Sequence, residues 1–483
     1  MQRIVIATGL TALLLSTAGP VLAQEKNYYQ TDFSKEELAG RRMQVFQSIG
    51  NNSIAIVQGA KGTGDFNVFR QSNEFYYLSG IETPHAYLLL DGRNRTTTLY
   101  LSHRDVDRER NEGKILSVED GDLIMGLTGI ESVRGLESLS LDMAGKGLLR
   151  PPAPLLYTPL SPSETGTDSR DELLAEQARV SSNPWDGLTS REARFRGLVN
   201  SRVPQFEVRD LSPILDGMRT IKSKLEIDVI RRATEIAGLA IMEAMRSTEP
   251  GVYEYQLDAA AKYVFYMHGA RGDGYASIIG GGSNAYLGHY FRKTDPLDRG
   301  DMVLMDYAPD YRYYTSDVTR MWPVDGTYTD DQRKLADFIR AYRDALLKYI
   351  RPGVTSDFVL DSAARDMERY LVGKVFGNPA HLKAVREGLK FRGHFQHPVG
   401  MAVHDVGLVR GVALAPGMVF TIDPMIWIHE ERLYLRIEDV VVVTASGAEN
   451  LSAFVPSSPD EIERTMAETG VIQLRPANAL PLQ

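Results

Sequence analysis

A chain of 483 residues is longer than single cores usually grow, so two domains, or a domain and a large catalytic unit, are expected. With 43% hydrophobic and 24% charged residues it reads as a soluble globular protein, and its net charge of -9 gives no support for nucleic acid as a partner. Cysteine is absent, which excludes disulfides and a cysteine nucleophile and leaves oxygen and nitrogen as the ligands of any metal site.

MQRIVIATGLTALLLSTAGPVLA, residues 1–23, has a basic start, an apolar segment and a small-residue cleavage site after Ala23. The apolar part is short for a bilayer span, so export and cleavage are expected, to the periplasm or outside the cell, with no stable membrane insertion afterwards. Residues 24–190 then read as an α/β domain. SIAIVQG, NEFYYLSG, AYLLLDG and TTTLYLS are short β-rich runs separated by turn residues, and RDVDRERNEG, DGDLIMGL and ESVRGLESLS supply helices between them. The proline content of PPAPLLYTPLSPSETGTDS, residues 151–169, predicts a surface connection or excursion, and 191–221 read as the link to the second domain.

SKLEIDVIRRATEIAGLAIMEAM opens that domain, residues 222–470. Ser223 and Glu226 have capping-box spacing, and Ile227, Ile230, Ala233, Ile236 and Ala237 recur on one helical face. DDQRKLADFIRAYRDALLKYI and SDFVLDSAARDMERYLV predict two more helices, while DMVLMDYA, MVFTIDP and LYLRIEDVVVVT favour strands, so the domain is α+β with a covered sheet. SPDEIERTM predicts a short capped helix, and 471–483 form a peripheral tail.

The chemistry concentrates in three stretches of the second domain. MDYAPDYRYYTSDVTR carries Asp306 and Asp317, which a hairpin would turn into one cleft. HFQHPVGMAVHD carries His394, His397 and His404, and FTIDPMIWIHEERLYLRIED carries Asp423 and Glu438 in strand-like surroundings. Neutral imidazole binds transition metals, and an unligated histidine can give a proton or hold an oxyanion. Four carboxylates gathered in a buried site raise one another's pKa values, so a pair of divalent ions is the economical way to keep them ionised. Dispersal of the same acids among turns and salt bridges is the alternative.

Three further features bear on this cleft. IIGGGSNAYLGHY lacks a Walker lysine, so a tight turn presenting His289 to the cleft is preferred over a phosphate loop. Tyr313 and Tyr314 either line the cleft or pack. Arg436 shares strand parity with Glu438 and could hold an acid ligand or meet a substrate carboxylate.

VFRQSNEFYYLSGIETPHAYLLL, RTIKSKLEIDVIRRA, LMDYAPDYRYYTSDVTR, SNAYLGHY, HPVGMAVHD and LRIED together resemble the pita-bread metallopeptidases, in particular the aminopeptidase P branch, over most of residues 50–470. The resemblance implies a pita-bread catalytic domain preceded by an α/β domain. It implies two divalent ions, by preference Mn(II) with Co(II) or Zn(II) as alternatives, held by Asp306, Asp317, His397, Asp423 and Glu438. His404 and His289 become substrate-side histidines that stabilise developing charge, with Arg436 nearby, and the position of Asp423 is associated with proton transfer. The implied activity is removal of an N-terminal residue that precedes proline, with proline-containing peptides as partners and a homo-oligomer left open.

One departure stands out. The family usually has Glu-Pro followed by Gly where this chain has Asp423, Pro424 and Met425, which withdraws the carboxylate by roughly 1.5 Å. That departure makes a catalytically impaired peptide-binding homologue one competing expectation, a dipeptidase acting only on Xaa-Pro is the other, and His394 has no assigned role.

Overall fold

The computed structural model describes residues 32–63, 67–144, 154–187 and 189–474. The signal-peptide expectation and most of the tail lie outside them. Among the described residues no helix is long and apolar enough to cross a membrane.

The first domain is built on a mixed six-stranded sheet of β1 (Ser53–Gln58), β2 (Tyr87–Asp91), β3 (Thr96–Leu101), β4 (Ser132–Gly135), β5 (Leu155–Thr158) and β6 (Glu207–Asp210). The spatial order is β4-β3-β2-β1-β5-β6. Its central strands are buried on both faces, which is why they read as continuous apolar runs rather than alternating ones. Ala55, Val57, Leu88 and Leu90 face the helix Lys35–Ile49, and Ile54, Ile56 and Leu89 face Phe195 and Val199 on the helix Arg191–Arg202.

Four expectations need correcting here. NEFYYLSG is the helix Asn73–Ser79, every residue of which is buried, so neither period could show in its sequence. ESVRGLESLS is split between β4 and the short helices Leu136–Ser138 and Leu139–Met143. The proline-rich stretch supplies β5, which pairs in parallel with both β1 and β6, so part of it is sheet interior rather than surface connection. The stretch read as a link, 191–221, supplies β6, the edge strand of that sheet.

The second domain begins with the helix Lys224–Arg246, whose Ser223 and Glu226 form the expected capping box. It packs on the helix Glu254–Met267 and on the strands below it. The helices Asp330–Tyr349 and Ser356–Tyr370 stand where periodicity puts them.

The strands of this domain form several small sheets. β7 (Gly272–Asp273) pairs with β10 (Pro309–Asp310), while β8 (Ile278–Gly281), β9 (Met302–Tyr307) and β11 (Val318–Pro323) make a sheet in the order β11-β9-β8. β12 (Phe395–Pro398), β13 (Val419–Ile422), β16 (Asp439–Val443) and β17 (Ala448–Asn450) make a second sheet, and β14 (Met425–Ile428) forms a hairpin with β15 (Leu433–Arg436). LYLRIEDVVVVT is thus two strands in two sheets, broken at Ile437 and Glu438. There Thr319 and Glu438 exchange backbone hydrogen bonds of 3.3 and 3.1 Å and stitch β11 to the start of β16.

The two domains share core. Val229, Ile230, Tyr313, Tyr314 and Val399 of the second lie in one buried cluster with Phe75 and Leu78 of the first. Tyr313 stacks on Tyr76 at 3.5 Å between ring centroids, and the Tyr314 hydroxyl donates to Glu226 at 2.9 Å. Both tyrosines pack between domains rather than lining the cleft.

Candidate metal centre

β9 and β11 run antiparallel with Asp306 opposite Thr319, which brings Asp317, one residue before β11, to the same end as Asp306. The hydroxyl of buried Tyr275 reaches both carboxylates, lying 2.9 Å from Asp317 Oδ1 and in close contact with Asp306. Burial and the two neighbouring negative charges hold the Tyr275 hydroxyl well above its usual range, so it stays a donor.

His397 projects from β12 with Nε2 at 3.4 Å from Asp317 Oδ2. Its Nδ1 lies 3.2 Å from the Pro398 carbonyl, which can only accept, so the proton sits on Nδ1 and the Nε2 lone pair is left for a ligand. Burial, then the neighbouring His404, lowers the His397 pKa to about 3. The ring is therefore neutral near neutral pH, as a metal ligand must be.

Glu438 and Asp423 enter from the other side. Thr319 Oγ1 donates to Glu438 Oε2 at 3.0 Å. Asp423 directly follows β13, at the corner where the chain passes from one sheet to the β14 hairpin. Arg436 gathers three of the acids on one guanidinium: Nη1 meets Asp306 at 3.0 Å, Nε and Nη2 each meet Asp423 at 3.1 Å, and Nη2 contacts Glu438. Of the two roles open to Arg436, the geometry shows the acid-holding one.

One ligand atom each from Asp317, His397 and Glu438 lie within 4.8 Å of one another. Asp306 joins this group through Tyr275, and Asp423 through Arg436.

Charge does not balance in this cluster. Burial, followed by the Glu438 and Asp306 charges, holds Asp317 well above the usual carboxylate range. Burial outweighs Arg436 at Glu438, which is likewise pushed well up, and at Asp423, which rises to about 6. Four carboxylates and a neutral imidazole with one cation among them form a hard oxygen-rich donor set suited to divalent metal ions.

His394 is fully buried, and among the described residues its ring nitrogens meet backbone groups rather than the acids' carboxylates. Its Nε2–H donates to the Gly388 carbonyl at 2.6 Å, its Nδ1 accepts the Met425 N–H at 3.2 Å, and its carbonyl accepts the Asp423 N–H at 2.8 Å. Edge contacts with Tyr342 and Phe391 hold the ring. Both backbone ends of the Asp423, Pro424, Met425 corner are thereby tied to one residue, which gives His394 a structural place that its sequence context left open.

His404 is partly exposed, its ring centroid 4.0 Å from that of His397 and its Nδ1 2.8 Å from Asp171 Oδ2. His289 is exposed, with its ring against Phe291, and no hydrogen bond among the described residues joins it to the acids. Sequence reasoning missed Tyr275, Thr319 and Asp171. Each lies far along the chain from the residue it touches, and although Thr319 stands inside the stretch that carries Asp306 and Asp317, nothing local marks it as the partner of Glu438.

Residues 38–146 match the family model of the aminopeptidase P N-terminal domain, and residues 228–445 match that of metallopeptidase family M24. The Xaa-Pro aminopeptidase of Escherichia coli is 29% identical over 457 residues, 90% of this chain and 98% of that one. Among solved structures, proline aminopeptidase P II from Yersinia pestis is 30% identical with a TM-score of 0.70, covering 90% of this chain and 100% of that chain. Aminopeptidase P from E. coli with the inhibitor Pro-Leu is 27% identical with a TM-score of 0.71, covering 90% and 98%. Family match, fold and donor set agree: the chain belongs to metallopeptidase family M24, the pita-bread enzymes, in the aminopeptidase P branch. It is a metallo-aminopeptidase, similar to the Xaa-Pro aminopeptidases it matches.

Proposed function

We propose that the protein is an exported enzyme that hydrolyses the bond between an N-terminal residue and a following proline. Asp306, Asp317, His397, Asp423 and Glu438 hold two divalent ions, Mn(II) being the one we favour. The observation that carries this reading is the convergence of five side chains from three separate stretches of chain on one buried, under-compensated centre.

When bound, such ions supply an activated nucleophile and polarise the scissile carbonyl. The chain's own residues do the rest. Tyr275 and Thr319 orient the carboxylates by donating to them, and His397 offers Nε2 because Pro398 keeps the proton on Nδ1. Arg436 keeps three acids together against their repulsion. Asp423, held by Arg436 at the corner between β13 and the β14 hairpin, is the carboxylate we assign to proton transfer beside the ions. His404 and His289, on the substrate side, stabilise charge developing on the carbonyl oxygen.

Mass spectrometry of mixed peptides under controlled metal addition tests the proposal. Release of a single residue ahead of proline from peptides longer than two residues is expected. Cleavage of Xaa-Pro dipeptides alone would favour the dipeptidase reading, and binding without cleavage across Mn, Co and Zn would favour the impaired one. Export is tested separately by N-terminal sequencing of mature protein, expected to begin at Gln24.

A further inference from the structure

Residues 147–227 lie between the two family matches, and within them the short segment from Ser169 to Asp171 touches the loop that carries His404. Ser169 is fully buried and caps the helix Arg170–Ser182, and its Oγ accepts the His404 backbone N–H at 3.3 Å. Asp171 is two residues further on. Its Oδ1 accepts the Glu172 N–H at 3.0 Å, which sets the carboxylate's rotamer, and its Oδ2 lies 2.8 Å from His404 Nδ1.

An exposed Asp–His contact is often worth little, because both side chains are free to leave it. Here the flanking residues remove that freedom. Arg170, next to Asp171, is buried against Glu74 and Asp216. Asp405, next to His404, is buried against Arg219 and within 3.0 Å of Lys222. Arg219 also meets Glu164, from the same segment as Ser169, at 2.6 Å, and Asn73 donates to the Met401 carbonyl at 3.0 Å. Asp171 and His404 are thus held from both sides by buried ion pairs that join the first domain to the histidine loop.

We infer that Asp171 is a positioning residue for His404. A carboxylate can only accept, so Nδ1 gives its hydrogen to Asp171 and Nε2 is the nitrogen turned to the substrate, where the ring carrying both protons donates Nε2–H to the developing oxyanion. Fixing the Nδ1 partner and the ring angle in advance spares the enzyme that ordering in the transition state, where a small misplacement is expensive. The inference rests on the reading of His404 as a substrate-side histidine. It assigns catalytic consequence to a segment outside both matched regions.

The test uses the full-length metal-loaded enzyme on an Xaa-Pro peptide, comparing Asp171→Ala, Asp171→Asn, His404→Ala and the Asp171→Ala/His404→Ala double variant. Asp171→Ala should lower kcat roughly tenfold to a hundredfold with KM moving less than about twofold. Asp171→Asn, which keeps an acceptor oxygen, should recover most of that loss, and the double variant should be no slower than His404→Ala alone. Asp171 is exposed, so the thermal unfolding midpoint of Asp171→Ala should match the wild type. Wild-type kcat in Asp171→Ala, or a loss that repeats in full on the His404→Ala background, overturns the inference. Full activity in His404→Ala overturns the reading of His404 itself, and the role of Asp171 with it.

Discussion

Two clusters of buried charge meet at residues 397–405, and burial is nearly the same in both. In the interdomain cluster Arg170, Arg219 and Lys222 face Glu74, Glu164 and Asp405. In the metal centre four carboxylates face Arg436 alone. Burial pushes Asp405 up, but Arg219 and Lys222 more than reverse it, and its pKa ends below the usual range. Burial and like charge leave Asp317 and Glu438 well above theirs. The contrast is sharpest between neighbours in sequence: Asp439, one residue after Glu438, is met by Arg320 and Arg343 and held below the ordinary carboxylate range. Counter-charge, not depth, separates a cluster that joins domains from one that is built to take cations.

Breaking the balanced cluster should have the largest effect. Arg219→Ala leaves Glu164 and Asp405 short of a cation in a buried place, and a loss of about 3–5 kcal/mol is expected from urea unfolding. Unchanged stability would show that this cluster does not hold the domains together. The same experiment on the metal centre should come out differently. Asp423→Ala removes one of several competing acids, so metal-free protein should unfold within about 1 kcal/mol of wild type. Bound metal should fall, and peptide turnover should drop roughly a hundredfold or more. Unchanged metal content and turnover would remove Asp423 from the site.

The balanced cluster has one imperfect member, which predicts a pH dependence. Burial, then the Glu164 charge, pushes Glu74 from 4.5 up to about 7 against the pull of Arg170 and Arg219. Between those values the folded protein binds more protons than the unfolded chain, so this group's contribution to stability falls as pH rises through the window. Glu74→Gln should flatten the slope of unfolding midpoint against pH between about 4.5 and about 7. An unchanged slope would assign the dependence elsewhere.

How much of this was legible depended on whether the signal was local. The capping boxes at Ser223 and Ser458 and the periodic helices they begin are written in consecutive residues, and the structure has them. The five candidate ligands were legible through short motifs, although their convergence was an expectation that only tertiary structure could meet. The helix Asn73–Ser79 and strand β5 were not legible, the first because all its residues are buried and the second because prolines precede it. The interdomain cluster was invisible for another reason. Arg219 lies 186 residues from Asp405 in sequence, and an arginine that will be buried looks like one that will not.

The smallest effect is expected where water replaces burial altogether. His103 Nδ1 meets Glu119 at 2.7 Å, and Glu119 also accepts the Arg104 N–H at 2.9 Å. The Glu119 hydrogen bond and charge raise the His103 pKa, while hydrogen bonds to His103 and the backbone lower Glu119 to about 2. Because the histidine's folded pKa is raised and the carboxylate's is lowered, the pair's contribution is fully present between 4.5 and 6.5, is lost as pH rises through the histidine's folded value, and is lost again as pH falls toward about 2. Both groups are solvated, so salt screens the attraction and the entropy of holding two exposed side chains opposes it. In Glu119→Gln the His103 titration, followed by NMR, should move back toward the ordinary histidine value, and added salt should move the wild type in the same direction. The thermal unfolding midpoint of the variant should not change measurably. A clear drop in that midpoint would mean that an exposed pair can do what Arg219 and Asp405 do in the interior, and the contrast between the two buried clusters would lose its basis in burial.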